Sequence, residues 1–587
     1  MIAYSGKDFN GFLPWFRLQE TERLSTQRHF TEVWDYRECK ELCDERHKAD
    51  ISVLSDTYAI LDRTVPYPAY HDVDLKKVQC YGLYEFDETR PYRTTRYVWK
   101  IIPESWGIFN RDKLKYKPFE WVWRQKQTIL QRDISLPVTL NKGEYAIFDF
   151  KQIEAGFLKT TMEALEESDV IIAFSEYYQG EEFKFGKISG HYAMEYVLAK
   201  DDKRDMQSFE PYTFRYVILL VKEGRVRVDS LGVKTYMYDT GHVPALAYEN
   251  EVQKGICQAA VRTFAHNAVD LYMDCPSRER AGWLCDSYFT AKAEWEMTGK
   301  TLVEDAFLEN YRLFENDGSY PEGVLPDCYP SDARPEEGYF IPQWTMWYIL
   351  EVAEYILERG HTDMAEDFRK TIYGLLEFYR CYENEDGLLE RLPAWNFVEW
   401  SAANEWVMDV NYPTNFLYAG ALDAVYRIYG DEQCKARCAE VQRKAIQQSF
   451  NGEYFYDHAI RDDNGVLKVQ TDSSEACQYY AVLFAGIDIN SEEYCQLKSL
   501  ITDEFSPKRD GARPEIVEVN AFIGAYLRIE VLLKMKEYRL VLDDIEGFFG
   551  HMAAYTGTLW EYREFRGSHD HGFASYVYAV VKKALER

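Results

Sequence analysis

The feature that most constrains the fold is a change in hydrophobic period near residue 245. Before it, segments such as YAIFDF (145–150) and DVIIAFSEYY (169–178) are rich in β-branched and aromatic residues between charged turns, which is typical of antiparallel strands. After it, apolar residues recur with a period of about 3.6 residues, as in amphipathic helices. The sequence therefore predicts a multidomain chain with an N-terminal β-sandwich region followed by an all-helical region.

Twelve helices are predicted, at residues 248–271, 286–298, 302–315, 340–359, 362–380, 403–429, 432–449, 473–486, 491–503, 517–536, 538–550 and 571–586. The connections after even-numbered helices are short, as at 299–301, 359–361 and 430–431, whereas those after odd-numbered helices are long. Because antiparallel neighbours alternate in direction, the long loops emerge at one end. We expect six hairpins in a closed (α/α)6 barrel whose mouth binds a ligand.

These patterns divide the chain into three parts. Residues 1–100 form a β-rich N-terminal extension, residues 101–245 a β-sandwich and residues 246–587 the catalytic barrel. Within the extension, the pattern of residues 37–49 predicts a helix, and residues 65–73 predict a proline-braced extended segment.

Composition excludes several classes of function. The chain has 68 Lys and Arg against 98 Asp and Glu, a formal net charge of −30 that would repel nucleic acid. It lacks both a run of about 18 apolar residues and a signal-peptide pattern, so we expect no membrane partner and a cytoplasmic location. The 12 Cys are scattered, and CxxC and HExxH motifs are missing, so we expect neither a metal nor an organic cofactor. A homo-oligomer is compatible with the sequence.

The first long loop concentrates charge. It carries Asp274, Arg278, Glu279 and Trp283 and ends at Asp286. The neighbouring carboxylates would disfavour ionisation of Glu279, as a general acid requires, while the neighbouring arginines act in the opposite sense. An ion-paired loop that only orders the first hairpin explains the same composition.

The last long loop carries Glu561 and leads into His571. In a closed ring the first and last loops are neighbours, so Glu561 would face Glu279. Two opposed carboxylates are the minimal machinery for glycoside hydrolysis. His571 is either a structural histidine at the start of the last helix or a group that binds a sugar hydroxyl.

Three tryptophans are candidates for stacking on the apolar face of a sugar. Trp395 and Trp400 lie in a long loop beside Gly387 and Pro393, which favours a ligand contact. Trp344 lies within a predicted helix, where a core position is the commoner outcome. Together with the carboxylates they predict a carbohydrate partner.

The segment DCPSRERAGWLCD (274–286) resembles the signature of glycoside hydrolase family 78, the bacterial α-L-rhamnosidases of the six-hairpin glycosidase superfamily. WNFVEW (395–400), TLWE (558–561) and the DH pair before the last helix resemble further motifs of that family, in the same order. The resemblance covers about residues 246–587 and extends into the preceding sandwich.

The resemblance implies an inverting exo-glycosidase that releases terminal α-L-rhamnose, with Glu279 as general acid and Glu561 as general base. It assigns sugar binding to Asp274, Arg278, Trp283, Asp286, Trp344, Trp395, Trp400 and His571. Inversion implies roughly 6.5–9.5 Å between the two carboxyl groups. Three residues depart from the usual pattern, with Cys285 in place of Gly, Glu399 in place of Asp and Asp570 in place of Asn, so the sugar is less constrained than the fold.

Three alternatives stay open. The same acid and base can act on another α-linked deoxysugar or on a uronic acid. A non-catalytic glycan-binding protein can retain the barrel, although the intact pair Glu279 and Glu561 argues against it. A sugar epimerase can use a similar barrel, and the lack of paired loop histidines outside 569–571 argues against that reading.

Overall fold

The computed structural model describes residues 11–12, 14–18, 20–22, 24, 28–40, 45–49, 63–91, 114–178, 192–330, 340–505, 507, 509 and 513–587. The chain divides into two compact units, Met1–Met237 with Ser277–Glu279, and Tyr238–Pro276 with Arg280–Arg587. The described part of the first unit is rich in strands and that of the second in helices. The predicted succession of a β region and a helical region is confirmed.

In its described residues, the first unit contains one short helix, α1 (Pro118–Trp123), and the strands β1 (Gly11–Phe12), β2 (Val33–Asp35), β3 (Lys48–Ala49), β4 (Asp72–Leu75), β5 (Lys77–Phe86), β6 (Gln125–Ser135), β7 (Val138–Asn141), β8 (Glu144–Ala164), β9 (Ser168–Ser175), β10 (Ala193–Leu198), β11 (Lys203–Gln207), β12 (Tyr212–Glu223) and β13 (Arg225–Thr235). The helix predicted over 37–49 is wrong in its described part, because residues 45–47 form a single 3-10 turn and β3 pairs with β1.

The long strand β8 organises this unit. Its first half pairs with β12 and β5, and its second half pairs with β13 and β11. The main strand order is β2-β10-β9-β12-β8-β13-β4, in which β2 and β10 are parallel and the other neighbours antiparallel. One strand therefore links two parts of the sheet.

Alternate residues of these strands enter two different cores, because successive side chains of a strand point to opposite faces. Phe148 in the first half of β8 and Leu158 in its second half belong to one core, which the two parts of the sheet share. Ile147 and Ile171 point the other way and pack with Phe119 of α1. The strands thus enclose one core and carry the helix on an outer face.

The second unit contains the helices α2 (Glu251–Asn267), α3 (Asp286–Thr298), α4 (Leu302–Arg312), α5 (Pro342–Leu357), α6 (Ala365–Arg380), α7 (Tyr412–Tyr429), α8 (Glu432–Ser449), α9 (Glu475–Phe484), α10 (Cys495–Ser499), α11 (Tyr526–Met535), α12 (Tyr538–Thr556) and α13 (Val577–Leu585). Each predicted helix has a counterpart here. Its long loops carry the short strands β14 (Val410–Asn411), β15 (His458–Arg461), β16 (Leu467–Val469), β17 (Ser473–Ser474) and β18 (Ile516–Val517).

Local sequence sets the ends of these helices. Gly299 and Gly430 adopt left-handed backbone conformations, with φ of 65° and 68°, and end α3 and α7 at the short connections. Asn411 caps α7 by accepting a hydrogen bond of 2.9 Å from the Thr414 N–H, so this helix begins later than predicted. Both α12 and α13 contact α2, which makes the first and last helices of the unit neighbours. In the described residues, no helix combines the length and apolar character of a membrane span.

Candidate functional site

The loop that precedes α13 is fixed directly on the loop that precedes α3. The Gly572 N–H donates to the carbonyl of Asp274 at 2.7 Å, and the His571 N–H donates to the carbonyl of Leu559 at 2.9 Å. A Cβ at Gly572 would lie 2.3 Å from the carbonyl oxygen of Met273, so this close approach requires glycine. The two loops predicted to be neighbours are in contact.

His571 lies between two carboxylates. Its Nε2 is 3.0 Å from Oδ1 of Asp286, and its Nδ1 is 3.8 Å from Oε2 of Glu561. All three side chains are buried. Burial lowers the pKa of His571, but the hydrogen bond that it donates to Asp286 and the charges of Glu561, Asp286 and Asp274 outweigh burial, so the pKa is raised above the ordinary value. The two acids therefore favour the protonated form of the His571 imidazole, the shared imidazolium.

We therefore expect the contribution of His571 to folding stability to depend on pH. A group whose pKa is raised by folding stabilises the protein below its unfolded pKa of about 6.5, and that stabilisation is lost as the pH rises through the folded pKa. His571→Gln should lower Tm more at pH 6 than at pH 9, measured by thermal melting against wild type. His242→Gln, at an exposed position, is the control. An equal or larger penalty at pH 9 would contradict the shared imidazolium.

Asp274 closes the first loop on itself. Its N–H donates to the carbonyl of Ala281 at 3.0 Å, and its Oδ1 accepts from the Ala281 N–H at 3.2 Å. Donor atoms of Asp274, Cys275 and His571 lie within 4.8 Å of one another, which is the one potential metal-binding set among the described residues. Asp274 Oδ1 and His571 Nε2 already take part in hydrogen bonds, to the Ala281 N–H and to Asp286. The absence of a metal stays a prediction.

Glu561 is held by its own loop. Its N–H donates to the carbonyl of Ser568 at 3.0 Å, and its Oε2 accepts from the Ser568 N–H at 3.1 Å. Gly567 makes this turn possible, since its φ is 65° and a Cβ there would lie 2.6 Å from Oε2 of Glu561. The carboxylate is thus buried and fixed, with the Ser568 N–H and His571 both lying against its Oε2.

Glu279, the predicted general acid, belongs to the first, sheet-rich unit. The Arg278 Nε donates to its Oε1 at 3.1 Å, and the two side chains are only partly exposed. The ion pairing that composition allowed for this loop is therefore present, and it involves the candidate acid itself.

Aromatic side chains flank the loop between α12 and α13, here called the Glu561 loop. The ring of Trp400 lies 5.7 Å from that of Tyr562, the residue after Glu561, and 6.1 Å from that of Trp395. Trp395 and Trp400 are half-buried, as a stacking surface requires, whereas Trp344 is 3% exposed. The sugar contacts predicted for these three residues stay predictions.

Trp283 and Cys285 end the first loop. Trp283 is half-buried and forms a backbone bridge with Cys328. Cys285 has a φ of 72°, a conformation that favours glycine, which accounts for the usual Gly at this position of the motif. Its thiol is fully buried at the start of α3.

Sequence analysis missed two aromatic residues beside His571. The ring of Phe573 lies 4.7 Å from the imidazole, and that of Phe522 lies 6.2 Å from it and 4.1 Å from Phe573. Phe522 sits in an irregular turn, residues 521–525, that precedes α11. The apolar pattern of this segment matches an ordinary helix, so the sequence gives no sign that Phe522 lies beside His571.

Comparisons with known proteins agree with this architecture. Residues 246–498 match the family described as the bacterial alpha-L-rhamnosidase 6 hairpin glycosidase domain. No curated protein matches the chain at a significant level.

Among solved structures, the family 78 rhamnosidase of Bacillus sp. GL1 has a TM-score of 0.80 at 14% identity, over 96% of this chain and 77% of that one. The Klebsiella oxytoca rhamnosidase with rhamnose bound has a TM-score of 0.64 at 13% identity, over 88% and 96%. The Streptomyces avermitilis α-L-rhamnosidase complexed with L-rhamnose has a TM-score of 0.53 at 13% identity, over 75% and 42%. At these identities the likeness shows a shared fold, and within it residues 246–498 match the six-hairpin glycosidase domain of the bacterial α-L-rhamnosidases.

Proposed function

We propose that this chain is an inverting exo-glycosidase that releases terminal α-L-rhamnose from glycans or glycosides. The arrangement of His571 between Asp286 and Glu561 carries the proposal. It collects, from the first and last loops, the acidic groups that the family motifs predict. We also propose that the helices form a closed (α/α)6 barrel, which the contacts of α2 with α12 and α13 support.

In the proposed mechanism Glu561 is the general base. An ionised carboxylate is needed to take a proton from water, and the positive charge that His571 shares with it favours ionisation. The N–H of Ser568 fixes one carboxylate oxygen, so the carboxylate is oriented before the substrate arrives. The activated water then attacks the anomeric carbon opposite the leaving group.

Glu279 takes the role of general acid from its position in the motif. It protonates the departing glycosidic oxygen while the water attacks, through an oxocarbenium-like transition state. Arg278, its ion-pair partner, must release or share the carboxyl group as the acid turns over. Asp274 and Asp286 are acceptors for sugar hydroxyls.

Rhamnose is supported by the surroundings of the site. The aromatic groups at Trp400, Tyr562 and Phe573 favour burial of a methyl group, worth about 0.8 kcal/mol per carbon. Two structures with the same fold carry rhamnose. A uronic acid fits less well, since Asp274, Asp286 and Glu561 would repel its carboxylate.

A panel of aryl glycosides tests the proposal. It includes α-L-rhamnoside, other α-linked deoxysugars and a uronide, and the released aryl alcohol is measured. Release from the rhamnoside alone is expected. Release from another member would change the sugar. No release, combined with calorimetric binding of L-rhamnose, would indicate the glycan-binding alternative.

A further inference from the structure

Asn520, which no motif contains, connects three parts of the site. It is nine-tenths buried and immediately precedes the irregular turn with Phe522. Its backbone N–H donates to Oε1 of Glu399 at 2.7 Å, and its side-chain Oδ1 accepts from the Arg563 N–H at 3.0 Å. Its Nδ2 also donates to Glu564 at 3.3 Å, so the residue joins the loop between α6 and α7, here called the Trp400 loop, to the Glu561 loop.

The two connected loops touch on either side of this link. Arg563 follows Glu561 by two residues, and the ring of Tyr562 between them packs on Trp400 at 5.7 Å. The Trp400 N–H also donates to the carbonyl of Phe522 at 3.2 Å. The position of the candidate base relative to its aromatic surroundings therefore depends on the segment that Asn520 begins.

Glu399 accepts the backbone hydrogen bond of Asn520. It is fully buried, and burial raises its pKa to about 8, opposed by the hydrogen bond from the Asn520 N–H. Gly524 packs directly against Glu399, because a Cβ at position 524 would lie 2.8 Å from Oε1 of Glu399 and 2.3 Å from the side chain of Val519. Close packing around a buried carboxyl group leaves this turn little freedom to shift.

We infer that Asn520 is a positioning residue that sets the placement of Glu561 against the aromatic groups of the site. The expected effect on kcat rests on the proposed function, whereas the expected effect on the position of the Glu561 loop rests on the hydrogen bonds of Asn520 alone. The backbone N–H to Glu399 survives most substitutions, whereas the bond to Arg563 needs the side-chain oxygen. Side-chain variants of Asn520 therefore keep the bond to Glu399 and change only the side-chain bonds, to Arg563, Ala521 and Glu564.

The chain offers a closely matched control at Asn250. Both asparagines cap a helical segment with Oδ1, and both donate from Nδ2 to a glutamate, Glu564 for Asn520 and Glu546 for Asn250. Asn250 caps α2 and has no described contact with the site residues. Asn250→Ala thus reports the loss of a cap without the loss of the link.

The experiment measures kcat and KM on the aryl α-L-rhamnoside for wild type, Asn520→Ala, Asn520→Ser, Asn520→Asp and Asn250→Ala. For Asn520→Ala we expect kcat to fall about 10–100-fold with KM changed by less than about threefold, since small misplacement of a reacting group acts on the chemical step. Asn520→Ser keeps a capping oxygen but is one bond too short for Arg563, so it should fold normally and lose the same kcat. Asn520→Asp keeps the acceptor for the Arg563 N–H but places a second carboxylate against Glu564, so it should recover part of the activity, and Asn250→Ala should keep wild-type kcat.

Hydrogen exchange of the segment 558–568 provides a readout that needs no turnover. Exchange at the Arg563 amide should rise in Asn520→Ala and Asn520→Ser and stay at the wild-type level in Asn520→Asp and Asn250→Ala. Wild-type kcat and exchange in Asn520→Ser would overturn the inference, as would equal losses in Asn250→Ala. A wild-type enzyme inactive on the whole panel would overturn the proposed function, and the exchange data would then decide the inference separately.

Discussion

Glu279→Gln is expected to lower kcat by about 10²–10⁴ on rhamnosides with poor leaving groups, the range that general acid–base catalysis supplies. Glutamine keeps the size of the side chain and an oxygen that can accept from Arg278, but it has no proton to give. On an activated aryl rhamnoside the loss should be much smaller, because such a leaving group departs without protonation. The ratio of variant to wild-type kcat is measured on each of the two substrates, and the difference between the two ratios isolates the proton transfer.

Glu315→Gln is the control for this prediction, since it removes the same charge from an exposed position in another long loop. Glu315→Gln should leave kcat at the wild-type value on both substrates. Equal losses on both substrates in Glu279→Gln would contradict the acid assignment and would indicate a role in binding or in ordering the loop through Arg278.

The helical half of the fold was predictable because its signals are local. Hydrophobic period, caps and breakers lie within a few residues of each helix, as Gly299 and Gly430 show, so all twelve helices were anticipated. The start of α7 was misplaced since the pattern continues through residues 402–411, where a 3-10 turn and β14 take up the chain instead. The helix predicted over 37–49 failed for a related reason, because pairing of β3 with β1 outweighs the local preference.

The candidate site was predictable only where a residue carries a motif. The motifs singled out Asp274, Asp286, Glu561 and His571, and the structure brings these four side chains close together. Asn520 and Phe522 were not found, since their places follow from contacts between loops that lie over 100 residues apart in the chain, such as that of Asn520 with Glu399. The positive φ of Cys285 had a signal only in the motif, where Gly is the usual residue, because a cysteine by itself does not indicate such a backbone conformation.

Glu561→Gln should lower kcat by about 10²–10⁴ on poor and activated substrates alike, because water must be activated whatever the leaving group is. This separates it from Glu279→Gln, whose loss depends on the leaving group. Glu315→Gln again serves as the control. Azide, which attacks without a general base, should restore turnover of the activated substrate by Glu561→Gln and yield the β-linked glycosyl azide.

The stereochemistry of the wild-type reaction tests the same assignment independently. Attack by a water held at Glu561 inverts the anomeric centre, so NMR should detect β-L-rhamnose first and the α-anomer only as mutarotation proceeds. A nucleophilic Glu561 would instead form a covalent ester and release the α-anomer. The hydrogen bond from the Ser568 N–H and the nearby His571 imidazole both address Oε2 of Glu561, and they hold the carboxylate in an orientation suited to accepting a proton. An α-anomer as the initial product, or a trapped glycosyl ester on Glu561, would replace inversion by retention and make this residue the nucleophile.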